Sequence, residues 1–290
     1  APVKAAPAAP AVKGPARLTA AWAALEARVM ALPVPVADMA LAGLRKVVEF
    51  QDLAYGAEYL DRLDIVLARD SAAQGHVLTR EAAKYIANAM AYDDVIRVAD
   101  LKTRAPRLAR IQSEMRVKDG NLMQLTEYLH PRAEEIAGLM PARMGARVQA
   151  SPVWMARLDR WFNKGRRMRS DSLRAFLALH VLGGLKGWRR RTLRHAEERA
   201  HLQAWLDRAL GYLPRYDLAV EVIRCRRLVK GYSDTHARGL SKFDRVLEGI
   251  ALVAGREDGA DWARRLREAA LQDEEGKALD GAIATIRSFA

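Results

Sequence analysis

Cysteine is nearly absent: Cys225 is the one thiol in 290 residues. A single thiol excludes a disulfide framework within the chain, and a cysteine-ligated zinc or iron–sulfur site built by this chain alone. Long apolar runs are missing too. The longest uncharged apolar stretch, Ala175 to Leu185, contains His180 and two glycines and falls far short of a membrane span. No basic, apolar and small-residue leader opens the sequence, so a cytoplasmic protein that meets no membrane is expected. There is no glycine-rich run leading into Lys-Ser or Lys-Thr. Gly183-Gly184-x-x-Gly187 lies inside an apolar helical stretch, so it reads as a helix break or close packing, not a phosphate loop. Internal repeats of solenoid length are also absent.

What is present points to a folded, basic protein. Half of the residues are hydrophobic and 29% are charged, with Lys and Arg exceeding Asp and Glu by 13. That composition argues against general disorder, and the length is ample for a buried core without metals or disulfides.

Residues 1–35 hold six of the eleven prolines and read as a Pro/Ala-rich linker with one short helix starting near Leu18. With no initiator Met, this stretch is expected to be the cut end of a longer polypeptide, with a tag-trimmed terminus as the alternative. From residue 36 to 290 the helical period dominates, and a division into two subdomains is expected near 145–152. Asp52 is placed to cap a helix carrying Tyr55, Tyr59, Leu60 and Leu63 on one face. Thr79 opens another through Ala83, Ile86 and Met90. Leu202, Trp205, Leu206, Ala209 and Leu210 follow amphipathic helical spacing, as do Phe243, Val246, Leu247, Ile250 and Val253. Alternation appears only over 121–129, where Leu122, Gln124, Thr126 and Tyr128 share a face. The expected class is all-α, a multi-helix array with at most one short β element there.

Four constellations carry chemistry. Glu127-x-x-His130 and Glu198-x-x-His201 have the spacing that di-iron helices use. Pro131 puts the Glu127 pair at an element boundary, and the charged neighbours of the Glu198 pair suggest solvated ion pairing, so no metal site is expected. Asp93/Arg97 and Asp100/Arg104 are i, i+4 acid–base pairs and read as structural ion pairs. The segment Gly231 to Gly239 concentrates Asp234, Thr235, His236 and Arg238 between glycines. It reads either as a capped interhelix turn or as a ligand or interface loop in which His236 and Arg238 face an anion.

The fourth is charge. Between Arg157 and Arg194 stand twelve Lys and Arg, opposed only by Asp159 and Asp171, so this block holds +10 of the chain's +13. Trp161, Phe162 and Trp188 interleave. Arg166, Arg167, Arg169, Arg189, Arg190 and Arg191 are the expected docking patch, suited to an acidic protein surface, a phosphorylated cofactor or single-stranded nucleic acid. The concentration of charge in one block favours local docking. A basic helical nucleic-acid-binding protein is the weaker alternative.

Four stretches together carry a resemblance: Glu49 to Tyr55 through Leu63, Tyr92 to Arg104, Glu127 to Ile136, and Lys230 to Gly239. In this order they resemble the C-terminal helical region of the indolepyruvate ferredoxin oxidoreductase family, beta-type subunit, over about 41–250. The resemblance implies membership in a complex that oxidatively decarboxylates aryl or branched 2-oxo acids to acyl-CoA and passes electrons to ferredoxin. Thiamine diphosphate, Mg2+, iron–sulfur clusters and CoA are implied for the whole complex, in other parts of it, and none bound by this chain. The implied partners are the other domains or subunits, ferredoxin among them. No self-contained catalytic site is expected, and no catalytic residue is carried onto these positions.

Overall fold

The computed structural model describes residues 13–118, 121, 123–129, 131–163, 165–231, 234–272 and 275–289. Among them the chain is predominantly helical, with one two-stranded sheet. It divides into two compact units, residues 1–84 and 85–290.

The first unit starts with α1 (Ala16–Met30), α2 (Val34–Phe50) and α3 (Leu53–Leu67). Proline sets the α1–α2 junction: Pro33 stands at the N-cap of α2 and Pro35 in its first turn, where a missing N–H costs nothing. α1 is the helix expected to start near Leu18, and it buries Trp22, Leu25 and Val29. Asp52 caps α3 as expected, accepting the N–H of Tyr55 at 2.7 Å. The predicted face of Tyr55, Tyr59, Leu60 and Leu63 is buried. The Tyr59 hydroxyl donates to the carbonyl of Ala83 at 2.9 Å in α4 (Val77–Met90), the helix that leads into the second unit.

The second unit opens with α5 (Val95–Thr103), α6 (Ala105–Glu114) and β1 (Thr126–Leu129). Next come α7 (Ala133–Leu139), α8 (Ala142–Gln149), α9 (Pro152–Phe162), β2 (Arg166–Arg169) and α10 (Leu173–Gly184). The stretch 145–152, where a division was expected, holds the end of α8 and the start of α9 inside this unit. The chain ends with α11 (Leu193–Gly211), α12 (Tyr216–Cys225), α13 (Asp234–Val253), α14 (Gly259–Gln272) and α15 (Lys277–Arg287). These last five helices hold the main core. Both amphipathic faces read from the spacing, on α11 and on α13, are buried, and the Trp205 indole donates to the carbonyl of Val222 at 2.9 Å.

The strand expected within 121–129 forms as β1, and its antiparallel partner is β2, with Tyr128 opposite Arg167. The sequence Arg-Arg-Met-Arg gives no apolar alternation, so charge hides the second strand. Glu127 on β1 takes Lys102 on one carboxylate oxygen and Arg107 on the other, which ties the sheet to α5 and α6. Burial alone would raise its pKa. The two cations outweigh that and hold it below the usual carboxylate range.

Candidate functional site

Three polar stretches far apart in sequence meet in the second unit. The first is at the head of α5, where Asp94 is the N-cap. Its Oδ1 accepts the N–H of Arg97 at 2.6 Å, and its Oδ2 accepts Arg189 Nε at 2.8 Å. Arg189 is 1% exposed. It therefore leaves the expected docking patch: a guanidinium out of water and bound to a capping carboxylate is a structural group.

The second stretch is on α11. Thr192 caps this helix, and His195 Nδ1 lies 3.0 Å from the Tyr92 hydroxyl. Glu198, read from its charged neighbours as a solvated partner, is buried instead. Its Oε1 takes Arg194 at 2.7 Å and lies 3.1 Å from His236 Nε2; its Oε2 lies 3.4 Å from Arg226 Nη2. Arg226, also buried, donates to His201 Nδ1 at 2.5 Å. Burial pushes Glu198 above the ordinary carboxylate range against the pull of Arg194 and Arg226. Arg226 is lowered, first by burial and then by Arg194, against the pull of Glu198.

Both imidazoles are neutral. Burial, then Arg226 and Arg194, bring His201 down from 6.5 to about 4, and burial with the same two arginines does so for His236. A guanidinium donating to His201 Nδ1 needs a lone pair there, which agrees. Unfolding exposes these rings, so between pH 6.5 and about 4 the unfolded chain binds protons that the folded chain refuses. Their contribution to stability is full above pH 6.5 and falls as the pH drops through that window. In urea titrations across it, a His201→Gln/His236→Gln chain should show a flatter decline than the native one. Equal slopes would mean that the rings are already charged in the folded protein.

The third stretch is the segment at 231–239. From Asp234 onward it is the first turn of α13 and not an open loop. His236 turns inward to Glu198, while Thr235 and Arg238 are exposed, so His236 and Arg238 do not face one anion. Tyr232, Ser233, His130 and Leu122, and the side chains of Asp234 and Arg166, lie outside the described residues.

Beside the Glu198 cluster lies a cavity of about 330 Å3. Its walls come from the head of α5 (Asp93, Asp94, Val95), from α7 and the residue before it (Arg132, Glu134, Glu135, Leu139), from α11 (Arg194, Glu197) and from α13 (His236, Ala237, Leu240). Asp93, expected to pair with Arg97, stands in this wall. Asp100 receives Arg104, as expected, at 2.5 Å, and Arg97 at 3.5 Å.

A further surface feature is the remaining basic block. Arg167 lies over Tyr128 at 5.9 Å and Arg191 over Trp188 at 5.5 Å, both within cation–π range, and Arg169 pairs with Asp171 at 2.7 Å. Arg190 is half-buried. Between them runs α10, an almost wholly apolar helix with a single buried residue, Leu179. Leu173 is 73% exposed and Val181 67%; Phe176, Leu177 and Leu185 are exposed as well. This helix packs on α5 at Gly183, where an added Cβ would stand 2.9 Å from the backbone N and Cα of Asp100.

Among the described residues no helix is long and apolar enough to cross a membrane. A model of a family of unknown function, DUF6537, matches residues 36–249. No curated protein and no solved structure matches the chain.

Proposed function

We propose that this chain, which belongs to the DUF6537 family of unknown function, is a helical docking module of a cytoplasmic 2-oxoacid:ferredoxin oxidoreductase assembly. In this reading it contributes a binding surface, while thiamine diphosphate, Mg2+, iron–sulfur clusters and CoA act in other parts of the complex. The resemblance of the four sequence stretches supports the assembly. Cys225 supports the division of labour: it is fully buried in α12, burial pushes its thiol up to about 12, and it does not fit the part of an iron–sulfur ligand.

The observation that carries docking is α10. A helix with so few polar residues is the kind found in a core, and one that buries a single residue leaves a face for something else to cover. Arg167, Arg169 and Arg191 lie in the segments that flank it, and Arg174 stands in its own first turn. The complementary occupant is a protein surface with an apolar patch rimmed by carboxylates, and the acidic partner is another subunit of the assembly or its ferredoxin. An apolar centre within a basic rim suits protein better than nucleic acid, whose backbone offers charge with no hydrocarbon to bury.

Two variants test this against the purified remainder of the assembly and its ferredoxin. Leu177→Ser/Val181→Ser and Arg167→Glu/Arg191→Glu should each weaken binding about tenfold or more at low salt, the scale of losing an interface anchor. All four side chains are exposed, so circular dichroism of both variants should match the native chain. Undiminished binding in both overturns the proposal. Salt-sensitive binding of a single-stranded oligonucleotide, lost in the arginine variant and kept in the serine variant, would replace it with the nucleic-acid reading.

A further inference from the structure

We propose that α10 is one half of a helix-to-helix contact, and that its occupant is an acidic amphipathic α-helix of a partner protein. The inference rests on the docking reading and names what docks.

The exposed side chains of α10 fall in rows. Leu173, Leu177, Val181 and Leu185 follow one another at intervals of four, and all are exposed. Phe176, His180 and Gly184 form the next row at the same interval, and the rings of Phe176 and His180 stack 5.9 Å apart, 9° from parallel. Rows of this spacing are the ridges of a helix surface, and the groove between two of them takes a ridge of a second helix. The aliphatic row is about 18 Å long, roughly three helical turns. At Gly184 the second row has no side chain, and an added Cβ would meet nothing within 4 Å.

The backbone decides between a helix and an extended segment. The main chain of α10 is paired within the helix, so this surface offers an incoming chain side chains only. An extended segment laid on it leaves its own N–H and C=O groups against hydrocarbon, without partners. A helix arrives with those groups already paired, and apolar anchors at intervals of three and four are what it brings to such a groove.

Charge sets the flanks of that helix. Between Arg166 and Arg191 the one acid is Asp171, and Arg169 takes it at 2.7 Å. Arg174 is exposed in the first turn of α10. Arg167 and Arg191 lie over the rings of Tyr128 and Trp188, contacts that leave their charge in place. A helix flanked by Lys or Arg is repelled here and one flanked by Asp or Glu is drawn in. A second copy of this chain would set one basic rim against another.

Photo-cross-linking of the full chain to the purified remainder of the assembly and its ferredoxin tests this. Leu173→Cys, Leu177→Cys and Val181→Cys, at exposed positions, are each labelled with a benzophenone maleimide; the native thiol, Cys225, is buried, so the label goes to the introduced one. The three positions should join one partner segment, at sites about three or four residues apart with Asp and Glu between them. Gly184→Trp, at an exposed position, should weaken binding about tenfold or more without changing the melting temperature. Should the labels block the complex, hydrogen exchange of the unlabelled complex decides, and protection should fall in one helical segment of the partner. Cross-links or protection at alternate residues, or scattered over several segments, overturn the helix and leave docking in place, as does binding that Gly184→Trp leaves undiminished. No binding by the native chain removes the docking reading and this inference with it. A chain that sediments as a dimer, and as a monomer in Leu177→Ser/Val181→Ser, overturns the inference in favour of a second copy.

Discussion

Asp94→Ala should cost the chain about 3–5 kcal/mol of stability, the range for stranding one partner of a buried ion pair. The carboxylate does two things at once. It caps α5 through the N–H of Arg97, and it neutralises Arg189 through a 2.8 Å hydrogen bond in a place water does not reach. Removing it leaves a guanidinium buried with its capping carboxylate gone, a far larger penalty than the loss of a surface pair. Asp94→Asn keeps a capping oxygen and removes the charge, so it separates the two effects, and the cap alone is worth about 1 kcal/mol. If urea titration gives Asp94→Ala a loss no larger than a cap's, the Arg189 pair contributes nothing.

Glu198→Ala is the other large effect, also about 3–5 kcal/mol on the same grounds. Here one carboxylate receives Arg194, faces Arg226 and lies beside His236, so its loss puts the positive charge of Arg226 in the interior without compensation. Glu198→Leu combined with Arg226→Met removes both charges and should recover most of the loss, because replacing a buried pair by apolar groups is close to neutral. Recovery would locate the cost in the stranded charge. A double variant as unstable as Glu198→Ala would locate it in packing around His201 and Phe243, whose rings sit 5.2 Å apart.

These two pairs also mark where sequence reading stops. The helices of the core are legible because their signal is local: the period of Phe243, Val246, Leu247, Ile250 and Val253 is written in one segment, as is the Asp52 cap. Glu198 and Arg226 are 28 residues apart, and Asp94 and Arg189 are 95 apart. Nothing in the neighbourhood of Arg189 separates it from Arg190 and Arg191, and nothing around Glu198 distinguishes it from its exposed neighbour Glu197. A usable signal does exist at Asp94, since an acid just before an apolar helical run is an N-cap pattern. The cavity gives a partial one: Asp93, Glu134, Glu135 and His236 each fall within a stretch that carries the family resemblance, and only the fold brings those stretches together. For α10 the apolar composition is plain in the sequence, but periodicity cannot tell a helix covered by its own chain from one left for a partner.

The close approach at Gly183 has a consequence for that helix. Backbone meets backbone there with no side chain between, so α10 cannot roll about its axis without driving one main chain into another. An amphipathic segment on a loose tether hides its hydrocarbon when alone and turns it outward on encounter, losing affinity to that rearrangement. This one is held with Leu177 and Val181 already facing outward. The partner we propose would meet a finished surface, and its affinity would not be reduced by any ordering of the helix.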